Sequence, residues 1–283
     1  MSIIGAPDSS AHPLVIHGRH FVSVMATWIT ALAKPARALP AYAFAAEHMR
    51  LRTWIIAAVI IAVQSMGWGL DTAAIKGAAL LPSWIVDGFN EITDYGRSSW
   101  TLWPAGLLIL LTAAMATRAA TRISQLVLAS IAVRLGFVFC AVGIPGLVVT
   151  VTKRWIGRVR PSEAGVFAYH PFSWDSEYAS LPSGHTAAAF SALVALGALF
   201  PRARPVLWIY AIVIALSRVI IAAHFPSDVI IGAAVGAGGA LLVREWFAAR
   251  RLGFFVGRDG EVHAMPGPSL RRIKKVAQPV ADQ

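Results

Sequence analysis

Apolar residues in this chain are gathered into long blocks rather than spread in short amphipathic stripes, and this grouping constrains the fold most. A helix needs about 20 mostly apolar residues to cross the hydrocarbon core of a bilayer. Six stretches approach or exceed that length: 53–70, 100–117, 124–152, 184–200, 204–223 and 226–243. The sequence therefore predicts an all-α, polytopic membrane protein with six transmembrane helices.

The composition agrees with a membrane protein. Hydrophobic residues make up 57% of the chain and charged residues 14%, whereas soluble domains carry about 25% charged residues. The net charge of +11 would suggest nucleic acid as a partner in a soluble protein. Here most basic residues flank the apolar stretches, where they act as membrane anchors. We therefore expect the membrane, and no nucleic acid, as a partner.

Three segments follow from the apolar stretches. Residues 1–50 are predicted to be an N-terminal cytoplasmic or membrane-surface segment, 51–248 the six-helix transmembrane domain, and 249–283 a basic cytoplasmic tail, flexible and close to anionic lipid. Within the first segment, the apolar stretch 21–33 is too short to cross the bilayer. We expect it to form a helix on the membrane surface. Residues 71–99 are expected to form a loop, with a short surface helix near 73–86.

The distribution of basic residues predicts the orientation. With six spans, the basic residues of both terminal flanks and of two inter-helix loops fall on one face, which the positive-inside rule assigns to the cytoplasm. In a bacterium, the protein would lie in the inner membrane with both termini cytoplasmic. Residues 153–160 (KRWIGRVR) break this pattern, because four basic residues lie on the outer, periplasmic side. Something at that face must need positive charge.

Three segments on the outer side carry residues suited to phosphate chemistry. They are 153–161 (KRWIGRVRP), 182–185 (PSGH) and 217–228 (SRVIIAAHFPSD). The fourth span leads inward from the second segment for about 25 Å, and the fifth span returns over a similar distance. All three segments are therefore expected to meet in one pocket at the outer membrane surface.

Cations and a helix N-terminus could bind the phosphate. Lys153, Arg160 and Arg218 supply three positive charges, and arginine matches phosphate oxygens in pairs. Ser183 and Gly184 open the fourth span, where unpaired backbone amides and the positive end of the helix dipole favour an anion. If the third helix continues beyond residue 152, Lys153 and Arg160 share one of its faces, because they are seven residues apart. The proline after Arg160 favours an end of the helix there.

Two histidines could perform the reaction. Asp228 follows His224 by four residues, so its carboxylate could fix the imidazole tautomer and leave the other ring nitrogen free to attack phosphorus. His185 could protonate the leaving oxygen as a general acid. Each feature alone has an ordinary structural explanation, such as a lipid anchor or a capped helix. Their combination at one face favours a catalytic site.

The same residues complete three motifs in order: KxxxxxxRP, PSGH and SRxxxxxHxxxD. Through them the sequence resembles the type 2 phosphatidic acid phosphatase (PAP2) superfamily of membrane lipid phosphatases, over about residues 100–243. The resemblance implies a PAP2-like bundle that hydrolyses phosphate esters through a phosphohistidine, without a metal or other cofactor. It gives His224, Asp228 and His185 the roles assigned above, and gives phosphate binding to Lys153, Arg160, Ser183, Gly184 and Arg218.

Substrates implied by the resemblance include phosphatidate, phosphatidylglycerol phosphate, undecaprenyl diphosphate and lipid A-type phosphates, and the motifs do not choose among them. Asp94, Arg97 and Ser98 lie on the same outer side and are candidates for contacts with the substrate head group; a capped turn is the alternative. Arg154 and Arg158 flank the first motif and are expected to be solvated, or else to bind a second anionic group.

Two other functions stay open. A lipid phosphotransferase could use the same residues, since an alcohol can replace water in the second step. A transporter or channel with an anion site and no turnover is the alternative from another class. The complete motif set and the lack of an obvious inverted repeat argue against it.

Overall fold

Helices dominate the computed structural model, which describes residues 13–36, 46–118, 121–163 and 168–277. The helices are α1 (Pro13–Ala33), α2 (Ala46–Ala78), α3 (Ser83–Asp94), α4 (Ser99–Arg118), α5 (Arg122–Ile156), α6 (Gly184–Leu199), α7 (Arg204–Ile220), α8 (Pro226–Ala249) and α9 (Leu270–Ala277). A short 3₁₀ turn, Pro201–Ala203, connects α6 to α7, and two strands, β1 (Phe254–Val256) and β2 (Val262–Ala264), form an antiparallel hairpin.

Four helical stretches among the described residues are long and apolar enough to cross a membrane. They are Ser83–Ala116, which joins α3 and α4, and Arg122–Ile156, Pro201–Ile220 and Pro226–Ala249. Helix α6 is apolar but shorter, with 16 residues, or about 24 Å of rise. These stretches agree with the predicted helical membrane protein, whereas the count of six spanning helices stays a prediction.

Helix α6 packs against α5, α7 and α8. Its contact with α8 is close because small residues of α8 face it. A Cβ atom on Gly236 would come within 2.2 Å of the Ala187 carbonyl oxygen. The hydroxyl of Ser191 donates a hydrogen bond to the carbonyl oxygen of Gly236 at 2.9 Å. The two backbones are therefore held at a fixed spacing, which positions the N-terminal ends of both helices.

The expected loop over residues 71–99 is largely helical, so that prediction was wrong. Helix α2 continues to Ala78, and the short helix is α3 rather than a segment near 73–86. Asp71 lies inside α2 and is buried, with 1% of its surface exposed. The acidic side chains had suggested a solvated loop, but the Asp71 carboxylate is paired inside the protein.

The tail contains the hairpin, so the described chain is not entirely α-helical and the tail is not simply a flexible segment. Phe254 of β1 is buried against Phe137 of α5 and Phe247 of α8. This apolar contact stabilises the hairpin against the end of the bundle. Helix α1 packs against α4; its predicted position on the membrane surface, like the division into three segments, stays a prediction.

Helices α2 and α8 run antiparallel and define two ends of the bundle. Arg52, early in α2, pairs with Glu245, late in α8, at 2.7 Å. Asp71, late in α2, contacts Ser227 at the start of α8. Asp228 and Glu245 are 17 positions apart along α8, about 26 Å. The third predicted site segment therefore lies at the end of the bundle opposite the Arg52–Glu245 pair.

Candidate active site

The first predicted segment leaves the helix earlier than expected. Helix α5 ends at Ile156 because Gly157 adopts φ 64°, a left-handed conformation that glycine tolerates best. A Cβ atom there would lie 1.8 Å from the carbonyl oxygen of His170. Lys153 therefore sits in the last helical turn, whereas Arg160 lies in the following loop, and the prediction of one helix carrying both was wrong.

The second segment starts α6 as predicted. Ser183 is the N-cap residue and Gly184 begins the helix. The backbone amide of Ser183 donates to the carbonyl oxygen of Asp228 at 3.0 Å, which ties this helix start to α8. A Cβ atom on Gly184 would have Val149 Cγ1, at 4.0 Å, as its nearest neighbour. The backbone at Gly184 is therefore open to the approach of a ligand.

The third segment spans the connection between α7 and α8. Arg218 lies in the last turn of α7, and its carbonyl oxygen accepts hydrogen bonds from the backbone amides of Ala223 and His224, each at 3.1 Å. Asp228 lies in the first turn of α8. Arg218, His224 and Asp228 are all buried. A short, tightly bonded turn thus presents all three side chains from one end of the helix pair.

His224 and Asp228 are adjacent but not directly hydrogen-bonded. His224 Nδ1 lies 3.8 Å from Asp228 Oδ2, beyond hydrogen-bond distance. The hydroxyl of Ser180 donates to Asp228 Oδ2 at 2.6 Å and lies 3.4 Å from His224 Nδ1. The amide of Phe225 also donates to Asp228 Oδ2, at 3.0 Å. Catalytic hydrogen bonds are often long without substrate, and here Ser180 lies beside the imidazole and the carboxylate.

Burial lowers the pKa of His224, and the cations Arg218 and Arg160 lower it further, while Asp228 opposes the shift. The imidazole therefore stays neutral at pH values where an ordinary histidine begins to gain a proton. A neutral imidazole has the lone pair that a nucleophile needs.

Charged and titratable side chains of the three segments lie close enough to act on one another electrostatically. His185 interacts with Arg218, His224 and Arg160, and also with Arg97. Lys153 interacts with Arg160, and Arg160 with Asp228. The predicted basic and histidine side chains thus surround one region next to the N-terminal ends of α6 and α8. Such an arrangement can bind an anion and bring it to an imidazole.

The turn between α3 and α4 lies against this region. A Cβ atom on Gly96 would come within 3.3 Å of the His185 ring. Asp94 and Arg97 form an exposed ion pair at 2.8 Å, and Ser98 follows at half-buried depth. The three candidate head-group residues therefore border the site, and their contact with substrate stays a prediction.

Thr93 was not predicted from the sequence as a site residue, yet it holds Arg218, a predicted phosphate ligand, in place. Its buried hydroxyl oxygen accepts hydrogen bonds from Arg218 Nη1 at 2.7 Å and from Ser217 Oγ at 3.0 Å. Helix α3 therefore supports Arg218 from the side. Thr93 lay in a segment read as a loop, and no local pattern distinguished it from other polar residues there.

The expected solvation of Arg158 was wrong. Arg158 is buried, with 3% of its surface exposed, and it bridges two carboxylates: Nη1 donates to Asp228 at 2.6 Å and Nη2 donates to Asp71 at 2.8 Å. Burial alone would lower the pKa of Arg158, but the two carboxylates outweigh it and raise the pKa. An ionisable residue at the end of an apolar stretch, as Asp71 is, was the sequence signal for this contact.

Comparison with known proteins identifies a family and several similar chains. The model of the PAP2 superfamily matches residues 132–252. A lipid A 1-phosphatase from Rhizobium johnstonii is 34% identical over 190 residues, 65% of this chain and 77% of that protein. A lipid A 1-phosphatase from Rhizobium etli is 32% identical over 190 residues, 65% of this chain and 81% of that protein.

Two crystal structures are also similar. A transmembrane PAP2-type phosphatidylglycerolphosphate phosphatase from Bacillus subtilis is 24% identical with a TM-score of 0.43, over 79% of this chain and 94% of that one. Aquifex aeolicus LpxE is 21% identical with a TM-score of 0.44, over 62% of this chain and 93% of that one.

The residues that match the family model include most of α5 and all three motifs. The two Rhizobium relatives are matched over 77% and 81% of their own length. The family predicted from the three motifs is thereby confirmed. The chain belongs to the PAP2 superfamily of phosphatases.

Proposed function

We propose that this protein is an integral membrane lipid phosphatase that removes phosphate from a lipid head group through a phosphohistidine on His224. The observation that carries the proposal is the buried His224 with Asp228 behind it and the cations Arg160 and Arg218 beside it. Cations stabilise the charge on the equatorial oxygens of a phosphoryl-transfer transition state. A buried neutral imidazole in the same place is suited to attack phosphorus.

The reaction would proceed in two displacements. In the first, the Nε2 lone pair of His224 forms a bond to phosphorus while the phosphorus–oxygen bond to the lipid breaks. His185, protonated once the bound phosphate dianion offsets the surrounding cations, gives its proton to the departing lipid oxygen. In the second, His185 takes a proton from water, the water oxygen attacks phosphorus, and the bond to His224 breaks. Inorganic phosphate leaves and both histidines return to their starting states.

Binding of the phosphate would use side chains and backbone. Lys153, Arg160 and Arg218 supply the charge. Since the Ser183 amide already donates to Asp228, we assign the anion-binding part of the helix start to the amides of Gly184 and His185, which have no partner within the helix. The buried Ser183 would act by fixing this helix start.

A lipid A-type phosphate is the first substrate to test, because both Rhizobium relatives are named lipid A 1-phosphatases. A glycolipid phosphate would keep its acyl chains in the bilayer while its head group enters the basic region. Phosphatidate, phosphatidylglycerol phosphate and undecaprenyl diphosphate are the other members of the panel.

We further propose that the site faces the periplasm from the inner membrane, with both termini in the cytoplasm. The distribution of basic residues supports this orientation. The position of the Arg52–Glu245 pair at the opposite end of the bundle from Asp228 is consistent with it. Labelling of single cysteines introduced at exposed positions near each end, with a membrane-impermeant reagent, tests the orientation.

The activity is tested by phosphate release from the lipid panel with protein purified in detergent. We expect release from at least one lipid, loss of release in His224→Ala, and full release in His263→Ala, whose exposed imidazole lies on the hairpin. Phosphate passing mainly to an added lipid alcohol would identify a phosphotransferase. Absence of both products from the wild-type protein would refute the enzymatic proposal and favour the transporter.

A further inference from the structure

A chain of buried charged groups lies behind the proposed nucleophile. The guanidinium of Arg158 donates through Nη1 to Asp228 Oδ1 and through Nη2 to Asp71 Oδ2, at 2.6 and 2.8 Å. Nη1 also donates to Ser227 Oγ at 2.8 Å. Each of these side chains has at most 3% of its surface exposed. Asp71 lies outside the three motifs, and Arg158 occupies an unspecified position of the first one.

Burying three charges is costly unless each is paired and hydrogen-bonded. Asp71 meets that condition with three bonds: it accepts from Arg158, from the Ser227 hydroxyl at 2.6 Å and from the Ser227 amide at 2.9 Å. Arg158 also lies over the ring of Phe225, 4.2 Å from its centroid. Asp71 and Arg158 therefore both hold the first turn of α8, which carries Asp228: Asp71 through Ser227, and Arg158 through Asp228 and Phe225.

We propose that Asp71 and Arg158 are positioning residues for the His224–Asp228 pair, an inference that rests on the proposed function. Asp71 holds the Arg158 guanidinium, and Arg158 in turn fixes Asp228 Oδ1, so that Oδ2 faces His224 Nδ1. Asp71 comes from α2, outside the residues that match the family model. Helix α2 thus completes the site from a part of the chain that carries none of the motifs.

The charges give Asp71 a second effect. Arg158 alone would neutralise Asp228 and weaken its attraction for a positively charged imidazole. With Asp71 present, two carboxylates and one guanidinium leave one net negative charge behind His224. The other charged or titratable groups that act on His224 are Arg218 from α7, Arg160 from the loop after α5 and His185 from α6. The negative charge stabilises the imidazolium character that His224 acquires as it bonds to phosphorus.

The geometry requires a fork at position 158. A guanidinium has donors on two separate nitrogen atoms and can bridge two carboxylates, whereas an ammonium is a compact point charge. Arg158→Lys should therefore lose the bridge between Asp71 and Asp228, although it keeps the positive charge. This separates positioning from simple charge compensation.

The test compares Asp71→Asn with Asp87→Asn, the same chemical change at an exposed carboxylate of α3. We expect kcat for lipid phosphate release to fall about 10- to 100-fold in Asp71→Asn, the usual range when a supporting partner is lost, with KM changed by less than about threefold. Asp87→Asn should match the wild type. A rise in KM with unchanged kcat would overturn the proposal, because it would indicate substrate binding rather than positioning.

A second readout requires no turnover. The ¹⁵N shifts of the His224 ring, assigned by their loss in His224→Ala, report which nitrogen carries the proton. We expect the Nδ1–H tautomer in the wild type and a mixture in Asp71→Asn. An unchanged tautomer would overturn the proposal. A wild type without phosphatase activity would refute the proposed function, yet this measurement would still decide whether Asp71 controls His224.

A double variant separates positioning from net charge. Asp71→Asn with Arg158→Met keeps one net negative charge behind His224 but removes the guanidinium that fixes Asp228 Oδ1. We expect the low kcat of Asp71→Asn, with a lower melting temperature because the buried Asp228 loses its ion pair. Recovery of wild-type kcat in this double variant would show that net charge alone supports His224 and would overturn the positioning role.

Discussion

Gly232 of α8 lies directly against the backbone of Ser183, the N-cap residue of α6. A Cβ atom at position 232 would come within 2.5 Å of the Ser183 carbonyl oxygen and 3.2 Å of its amide nitrogen. The same amide donates to Asp228. The absence of a side chain at 232 therefore lets two helix N-termini, one with the amides proposed to bind phosphate and one with Asp228, meet at a fixed distance.

Gly232→Ala should separate these two helix ends. Because the obstructing atoms belong to the backbone, neither helix can relieve the contact by a side-chain rotation, and overpacking of this kind costs about 1–3 kcal/mol. We expect a lower melting temperature and at least about a tenfold loss of phosphate release, since misplacement of catalytic groups by an ångström is costly.

Gly238→Ala is the matched control for this change. A Cβ atom at 238 would meet only Ile56 Cδ1, at 3.8 Å, which is ordinary contact. Its melting temperature and activity should equal those of the wild type. A Gly232→Ala protein with full activity would show that the close approach at Ser183 is not required for the site.

Thr93→Val should weaken the phosphate binding that we propose for Arg218. Valine keeps the shape of threonine but cannot accept the hydrogen bond from Arg218 Nη1. We expect kcat/KM to fall about tenfold, equivalent to 1.4 kcal/mol, which is typical of one hydrogen bond to a charged group. The effect is measured by steady-state phosphate release.

Thr112→Val is the control, because the hydroxyl of Thr112 donates to the Leu108 carbonyl of its own helix. It should retain wild-type kcat/KM. Equal losses in both variants would mean that Thr93 acts through general stability rather than through Arg218.

His224 should gain a proton only below the ordinary histidine pKa of 6.5, because burial lowers the pKa of this imidazole. A lowered pKa means that the neutral form persists to lower pH. A ¹⁵N NMR titration of the substrate-free protein measures the midpoint without interference from the phosphate group, which itself ionises near pH 6. A midpoint at or above 6.5 would contradict the expectation.

Removal of divalent metal should leave the activity unchanged. The proposed site uses Lys153, Arg160 and Arg218 where many phosphoryl-transfer enzymes use metal ions. Phosphate release is measured after dialysis against EDTA and again after addition of Mg²⁺ or Zn²⁺. Activity that disappears on dialysis and returns specifically with one of these metals would require another mechanism.

Much of the site was predictable because its residues occur in short, ordered motifs at the ends of apolar helices. Helices α6 (Gly184–Leu199) and α7 (Arg204–Ile220) lie close to their predicted bounds. The reversal of direction between them brings His185 and Arg218 to the same end. The exit from α5 was less accurate: the following proline suggested an end at residue 160, but the left-handed Gly157 ends the helix at Ile156.

The sequence by itself determined the helical membrane architecture and the family, and it predicted the groups that we propose bind and attack phosphate, because these depend on local hydrophobicity and short spacings. Only the tertiary structure decided how that set is supported. Asp71 and Arg158 are 87 positions apart, and no periodicity connects them. An acidic residue after an apolar stretch is equally compatible with a solvated loop and with a buried ion pair, and the choice depends on whether folding brings a guanidinium to it.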